Sequence, residues 1–178
     1  MLYAFGFDRI GVAASDLSFL DPNPGEGQDG AEQGVRLEVR LFERGERRGS
    51  IYSAQPIAVG GSIWRADLFE SVANPGSLDR AHHHPRCRGW EPGQRHFAEE
   101  MSADPIGWIG QRLSDLDGLL EEVGLAPEDV GASDAADLRT AVPEILAAVR
   151  QLLDRARADR PSQPLEGPTS QGLRVGWL

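Results

Sequence analysis

The stretch VRLEVRLF at 35–42 alternates without a break, with Val35, Leu37, Val39 and Leu41 on one side of an extended chain and Arg36, Glu38 and Arg40 on the other. Successive side chains of a strand point to opposite faces, so this pattern specifies a half-buried antiparallel strand with a charged outer face. A helix would scatter the same residues around its axis. The fold must therefore give this segment strand partners and cover one of its faces.

The flanking sequence offers both. Residues 2–13, rich in apolar and β-compatible types, read as one or two strands, followed by a Gly/Pro/acid loop, DPNPGEGQDGAEQG, at 21–34 that is the expected site of internal disorder. SIYSAQPIAV at 50–59 is a weaker strand, because Pro56 has no N–H to give to a ladder and suits an edge or a bulge. Gly60-Gly61 supplies the backbone freedom of a tight hairpin turn. SIWRADLFESV follows at 62–72, with Trp64, Ala66 and Leu68 on one face and Arg65 and Asp67 on the other.

Beyond residue 103 the hydrophobic period changes. Asp104 and Pro105 form a helix start, Ile106, Ile109, Leu113, Leu116, Leu120 and Val123 recur at helical spacing, and Gly124 provides a stop. A second helix begins at Ser133 or Asp134 and carries Leu138, Val142, Ile145, Val149, Leu152 and Ala156 on one stripe. Pro143 inside it predicts a kink or a helix that restarts there. The expected fold class is α+β, with an antiparallel sheet in the N-terminal half packed by a C-terminal antiparallel helical hairpin. The expected organisation is a single domain over 1–158, comprising a sheet at 1–75, a His/Arg loop at 76–103 and helices at 104–158. A flexible Pro/Ser/Gly-rich tail follows at 159–178.

Composition removes several kinds of chemistry. All 18 basic residues are arginine, in an Ala/Gly/Pro/Arg-biased composition that suggests a GC-rich bacterial genome, so a lysine Schiff base, a pyridoxal-phosphate anchor and a Walker-type phosphate lysine are excluded. No window approaches the roughly 18 consecutive apolar residues of a membrane span. The N-terminus lacks the basic region and cleavage site of a signal peptide. With a single cysteine in the chain, a cytoplasmic location without membrane partners is the expectation. A net charge of −10 argues against broad binding to nucleic acid.

One segment departs from this acidity. RAHHHPRCRGWEPGQRH, residues 80–96, contains all four histidines, the only cysteine, and Arg80, Arg86, Arg88 and Arg95 against the single acid Glu91. In an extended segment His82 and His84 share a face, so they can chelate one ion while His83 points away. His96 and a carboxylate, Glu91 or Glu99, could complete a site for Zn, Fe, Mn or Ni. Arg80, Arg88 or Arg95 would hold a small anionic ligand. Hydrolysis or oxidation is the chemistry that such an open metal site supports.

Gly76, five intervening residues and then His82-x-His84, entered from a β-meander, resemble the first half of the cupin metal motif over about ten residues. That resemblance implies a jelly-roll barrel and a metal held by the two histidines, a following glutamate and a later histidine. Glu91 lies beyond the usual glutamate position, and no second motif follows. FDRIGVAASDL is similar to the first strand of the vicinal-oxygen-chelate family, which implies a βαβββ module and a divalent metal. The histidine of that family falls at Arg9, so no site residue carries over.

Other readings stay open. A small antiparallel sheet followed by histidines and a terminal helix is similar in architecture to several bacterial toxin ribonucleases. In that case His83 would act in metal-free acid–base catalysis, with arginines holding the phosphate. Cys87, flanked by Arg86 and Arg88, is a candidate thiolate whose pKa those charges should lower. Trp90 and Trp108 either roof the site or simply pack. Three adjacent histidines equally suit a solvated turn. A non-catalytic alternative is an interaction or cargo protein, either a homodimer or one that docks a protein partner through helix 104–123 and tail 170–178. The terminal GLRVGWL is loosely similar to the targeting peptides of encapsulin cargo.

Overall fold

The computed structural model describes residues 1–20 and 30–158. Five strands, β1 (Leu2–Gly6), β2 (Ile10–Leu20), β3 (Ala31–Arg44), β4 (Ile57–Ser71) and β5 (His82–His84), form one sheet in the order β1-β2-β3-β4-β5, and every neighbouring pair is antiparallel. Helices α1 (Glu99–Ala103), α2 (Pro105–Ser114), α3 (Leu116–Val123) and α4 (Asp134–Ala158) follow. This is an α+β protein with its sheet in the N-terminal half and its helices in the C-terminal half. The order is a plain meander, unlike the jelly roll implied by the cupin resemblance. No helix separates β1 from β2, which rules out the βαβββ module as well.

The alternation of β3 sorts the two faces. Val35, Leu37 and Val39 pair in register with Leu68, Ala66 and Trp64 of β4, and Ile10, Val12 and Ala14 of β2 complete a fully buried apolar face. Ile109, Leu113, Leu116, Leu119 and Leu120 from α2 and α3, with Leu138, Ile145, Val149 and Leu152 from α4, cover that face. The start of α4 is fixed by the buried Asp134, which accepts from the N–H groups of Asp8 (2.7 Å), Arg9 (3.1 Å) and Gly131 (2.7 Å) and so ties the helix to the β1–β2 turn.

Several elements differ from the sequence expectation. Gly60-Gly61 is no hairpin turn. One strand runs through it from Ile57, and the register with β3 slips between Val39 and Arg40 and again between Arg40 and Phe42. Glycine is needed there for another reason: a Cβ on Gly61 would lie 2.1 Å from the carbonyl oxygen of Gly89, where the following loop crosses the strand. The helix expected over 104–123 breaks at Asp115. Its carboxylate caps α3 by accepting from Gly118 N (3.1 Å), as that of Asp104 caps α2 by accepting from Gly107 N (3.0 Å). Helix α4 runs through Pro143 without restarting. Pro143 is on the exposed side of the helix, while Leu138, Val142 and Ile145 hold both flanks against the core. Residues 31–34 of the expected loop belong to β3, and segment 76–103 contains β5 and α1. The remainder of that loop, 21–29, and the tail, 159–178, lie outside the described residues.

The far end of α4 is held by an ion pair to a buried carboxylate. Arg157 grips Glu70 with Nε and Nη2, both at 3.0 Å, and Glu70 also accepts from Gly76 N (2.7 Å) and Gln33 Nε2 (3.3 Å). Burial raises the Glu70 pKa, but these donors outweigh it and hold the carboxyl below its ordinary value near 4.5. A depressed folded pKa gives stability that is present above the unfolded value and lost as pH falls through the folded one. Glu70→Gln should therefore cost about 2 kcal/mol at pH 7 and progressively less in acid, as read by urea unfolding at both pH values. A deficit of the same size at pH 3 would contradict this.

Candidate metal centre

Register alone assembles the site. In the β4–β5 pairing Arg65 is opposite His84, Ala66 opposite His83 and Asp67 opposite His82. Cross-strand partners share a face, so His82 and His84 join Arg65 and Asp67 on the side away from the helices. His83 joins Ala66 on the helical side, with ring centroids 4.9 Å from Trp108 and 6.3 Å from Trp64. Burial and the nearby charges of His96 and Arg112 push His83 down to about 4, so it is neutral at pH 7.

Asp67 is the hub of the outer face. Its Oδ1 accepts from Arg36 Nε at 2.9 Å and its Oδ2 from Arg65 Nη2 at 2.6 Å. The same Oδ2 is 3.4 Å from His82 Nε2 and 3.5 Å from His84 Nε2. Asp67, His82 and His84 each offer one donor atom within 4.8 Å of the others, and all three residues are buried. Burial by itself would raise the Asp67 pKa. The charges of Arg36 and Arg65 act against it, and the carboxyl is held well below the usual carboxylate range.

The tautomers follow from partners that have only one role. His82 Nδ1 is 2.7 Å from the carbonyl oxygen of Arg80, and a carbonyl can only accept, so Nδ1 carries the hydrogen. In the tautomer with its hydrogen at Nδ1 the lone pair is at Nε2, which is buried, has no hydrogen-bond partner and is 3.4 Å from Asp67 Oδ2. His84 Nε2 is 2.9 Å from Arg65 Nη2, which can only donate, so this nitrogen also carries a lone pair. Burial lowers the His84 pKa, and Arg65 adds to that effect against the pull of Asp67. Two imidazoles and a carboxylate brought together in a buried site form a group that could hold a metal ion. The backbone carbonyl on the far nitrogen of His82 is the usual support of a ligating histidine.

Aromatic rings and a loop enclose the group. Phe69 and Phe97 lie 6.1 and 5.5 Å from the His82 ring, and Phe19 meets Phe69 edge-on at 5.3 Å. His83 and His96 exchange backbone hydrogen bonds (2.9 and 2.8 Å), which brings segment 85–95 back to the sheet. Within that segment Gly89 packs on Gly61, and Trp90 lies over the Arg40 guanidinium at 5.6 Å.

The other sequence candidates lie elsewhere. The exposed side chains of His96 and Glu91 line, with Arg86, Arg88 and Glu122, a cleft of about 800 Å³, and neither belongs to the Asp67 group. Glu99 is exposed at the start of α1. Arg80 lies 3.9 Å from Asp79, and Arg95 lies 3.6 Å from the buried Glu32. Arg88 is held to Glu91 through backbone bonds. Burial pushes the Cys87 thiol up, against the depression expected from its flanking arginines. Trp108 is half-buried against the core, stacked on Trp64 at 6.1 Å, while Trp90 is exposed.

Asp67 itself was not singled out by sequence reasoning. The signal was there, since Asp67 sits on the polar face of the strand that delivers the chain to the histidines, but its alignment opposite His82 is a matter of register. No family model matches the chain, and neither a curated protein nor a solved structure matches it.

Removing the hub charge should show how much depends on it. Asp67→Asn leaves two guanidinium groups facing a neutral amide and should cost about 3 kcal/mol in urea unfolding with chelator present. A loss below about 1 kcal/mol, the range of an exposed pair, would contradict a central role for this carboxylate.

Proposed function

We propose that this protein binds one divalent transition-metal ion through Asp67, His82 and His84. The observation that carries the reading is His82 Nε2: the other ring nitrogen donates to the Arg80 carbonyl, and Nε2 itself is buried without a hydrogen-bond partner, 3.4 Å from Asp67 Oδ2. A lone pair facing a carboxylate is repulsive until a cation lies between them. Either a proton or a metal ion relieves it, and two imidazoles with a carboxylate favour Zn, Fe, Mn or Ni over Mg or Ca. An anionic small molecule is the natural co-ligand, because the ion together with Arg36 carries more positive charge than Asp67 neutralises. In such a site the ion would supply Lewis acidity.

The competing reading is a metal-free charge network, in which Arg36, Arg65 and a proton satisfy Asp67. Arg65 favours it, since this residue already touches two of the donor atoms. Protein prepared without a polyhistidine tag separates the two. The metal reading predicts one equivalent of Zn or Co bound after purification or reloading, followed by elemental analysis and calorimetry. It also predicts an affinity loss of at least about 100-fold in His82→Ala and His84→Ala. His83→Ala should bind as wild type does, because His83 faces the helices. No stoichiometric binding of any of Zn, Co, Ni, Mn or Fe would leave the charge network standing alone.

A further inference from the structure

Resting on the metal reading, we propose that Arg65 is a resident cation that guards the site: metal enters only when the Arg65 guanidinium leaves Asp67 and His84 and turns to Glu38. Arg65 Nη2 donates to Asp67 Oδ2 at 2.6 Å and to His84 Nε2 at 2.9 Å, which are donor atoms of the metal group. A nitrogen lone pair engaged by an N–H cannot also bind an ion, and a guanidinium in contact with both ligands would repel one. Arg36 does not interfere in this way, because it holds Oδ1 and leaves Oδ2 to the histidines. Arg65 is therefore the group that has to move.

The fold provides a destination. Glu38 is the cross-strand partner of Arg65 in the β3–β4 register, so it lies on the same face, with Cβ atoms of such pairs about 5 Å apart. Glu38 holds Arg40 through Oε2, at 2.6 Å from Nη2 and 3.2 Å from Nε, and a carboxylate has acceptor sites for a second guanidinium. Arg65 Nε is buried without a hydrogen-bond partner in its present position, so a turn toward Glu38 can gain a bond there as well as lose two. The guard sets a threshold. Ions with weak affinity for imidazole, such as Mg and Ca, fail to displace the guanidinium, whereas Zn and Co displace it.

Calorimetric titration of zinc into chelator-treated wild type, Arg65→Met, Arg65→Lys and Glu38→Gln tests this. Arg65→Met should bind zinc about tenfold tighter or more, while Arg65→Lys, which keeps a cation, should stay within about threefold of wild type. Glu38→Gln should weaken zinc binding about threefold in wild type and have no effect in the Arg65→Met background, because no guanidinium is left to receive. Equal or weaker binding by Arg65→Met, with wild type binding normally, would overturn the guard and leave the metal site intact. Binding by neither protein would overturn both. Binding by Arg65→Met alone would overturn displacement of the guanidinium by zinc and leave the charge network as the state of the wild-type protein. Should Arg65→Met fail to fold, wild type gives the answer by NMR. The Arg65 side-chain Nε–H resonance should move or vanish with one equivalent of zinc, and an unmoved resonance in the zinc-loaded protein would overturn the proposal.

Discussion

A carboxylate buried at the centre of a sheet face governs this structure. Asp67 is fully enclosed, yet two guanidinium groups hold it ionised and two imidazoles meet it, all drawn from three strands. An ion buried without such partners would cost several kcal/mol, so the elements that bring the partners in are fixed by the same requirement that keeps Asp67 charged. Strand β3 must present Arg36, β4 must present Arg65, and β5 must arrive in the one register that sets His82 opposite Asp67. A shift of β5 by a single residue would exchange His83 for its neighbours and break the site.

Each strand near the site thus serves two interiors. Trp64, Ala66 and Leu68 carry the apolar core toward the helices, while Arg65 and Asp67, between them in sequence, carry the polar cluster on the opposite face. The histidine triplet is divided in the same way, with His83 among tryptophans and His82 and His84 at the carboxylate. The outer face avoids solvent through the returning loop and the rings of Phe69 and Phe97. The close approach of Gly89 to Gly61 is what lets that loop lie flat on β4.

Much of the frame was legible beforehand, because periodicity reports directly on which face is buried. The strict alternation of 35–42 and the helical stripe from Ile106 specified an antiparallel sheet followed by helices, and these are present. Periodicity is blind to breaks that keep the stripe in phase, so the interruption at Asp115 was hidden, although Asp115 and Gly118 repeat the Asp104 and Gly107 cap signal. Gly60-Gly61 misled because two glycines also suit a strand crossed closely by another backbone, which only the tertiary structure reveals. At the site, nearness in sequence pointed to Glu91 and His96, whereas Asp67 lies fifteen residues before His82 and meets it only through pairing across the sheet. Sequence proximity favours neighbours along the chain. A β-sheet builds its sites from neighbours across strands.

The central claim is that two imidazoles and one carboxylate, from β4 and β5, form a single coordination sphere. X-ray absorption spectroscopy of the zinc-loaded, tag-free protein reads that sphere directly. The account predicts a spectrum dominated by oxygen and nitrogen neighbours at about 2.0–2.1 Å, with the outer-shell scattering of two imidazole rings that drops to one in His84→Ala. A zinc shell without imidazole scattering, or one unchanged by His84→Ala, would contradict it.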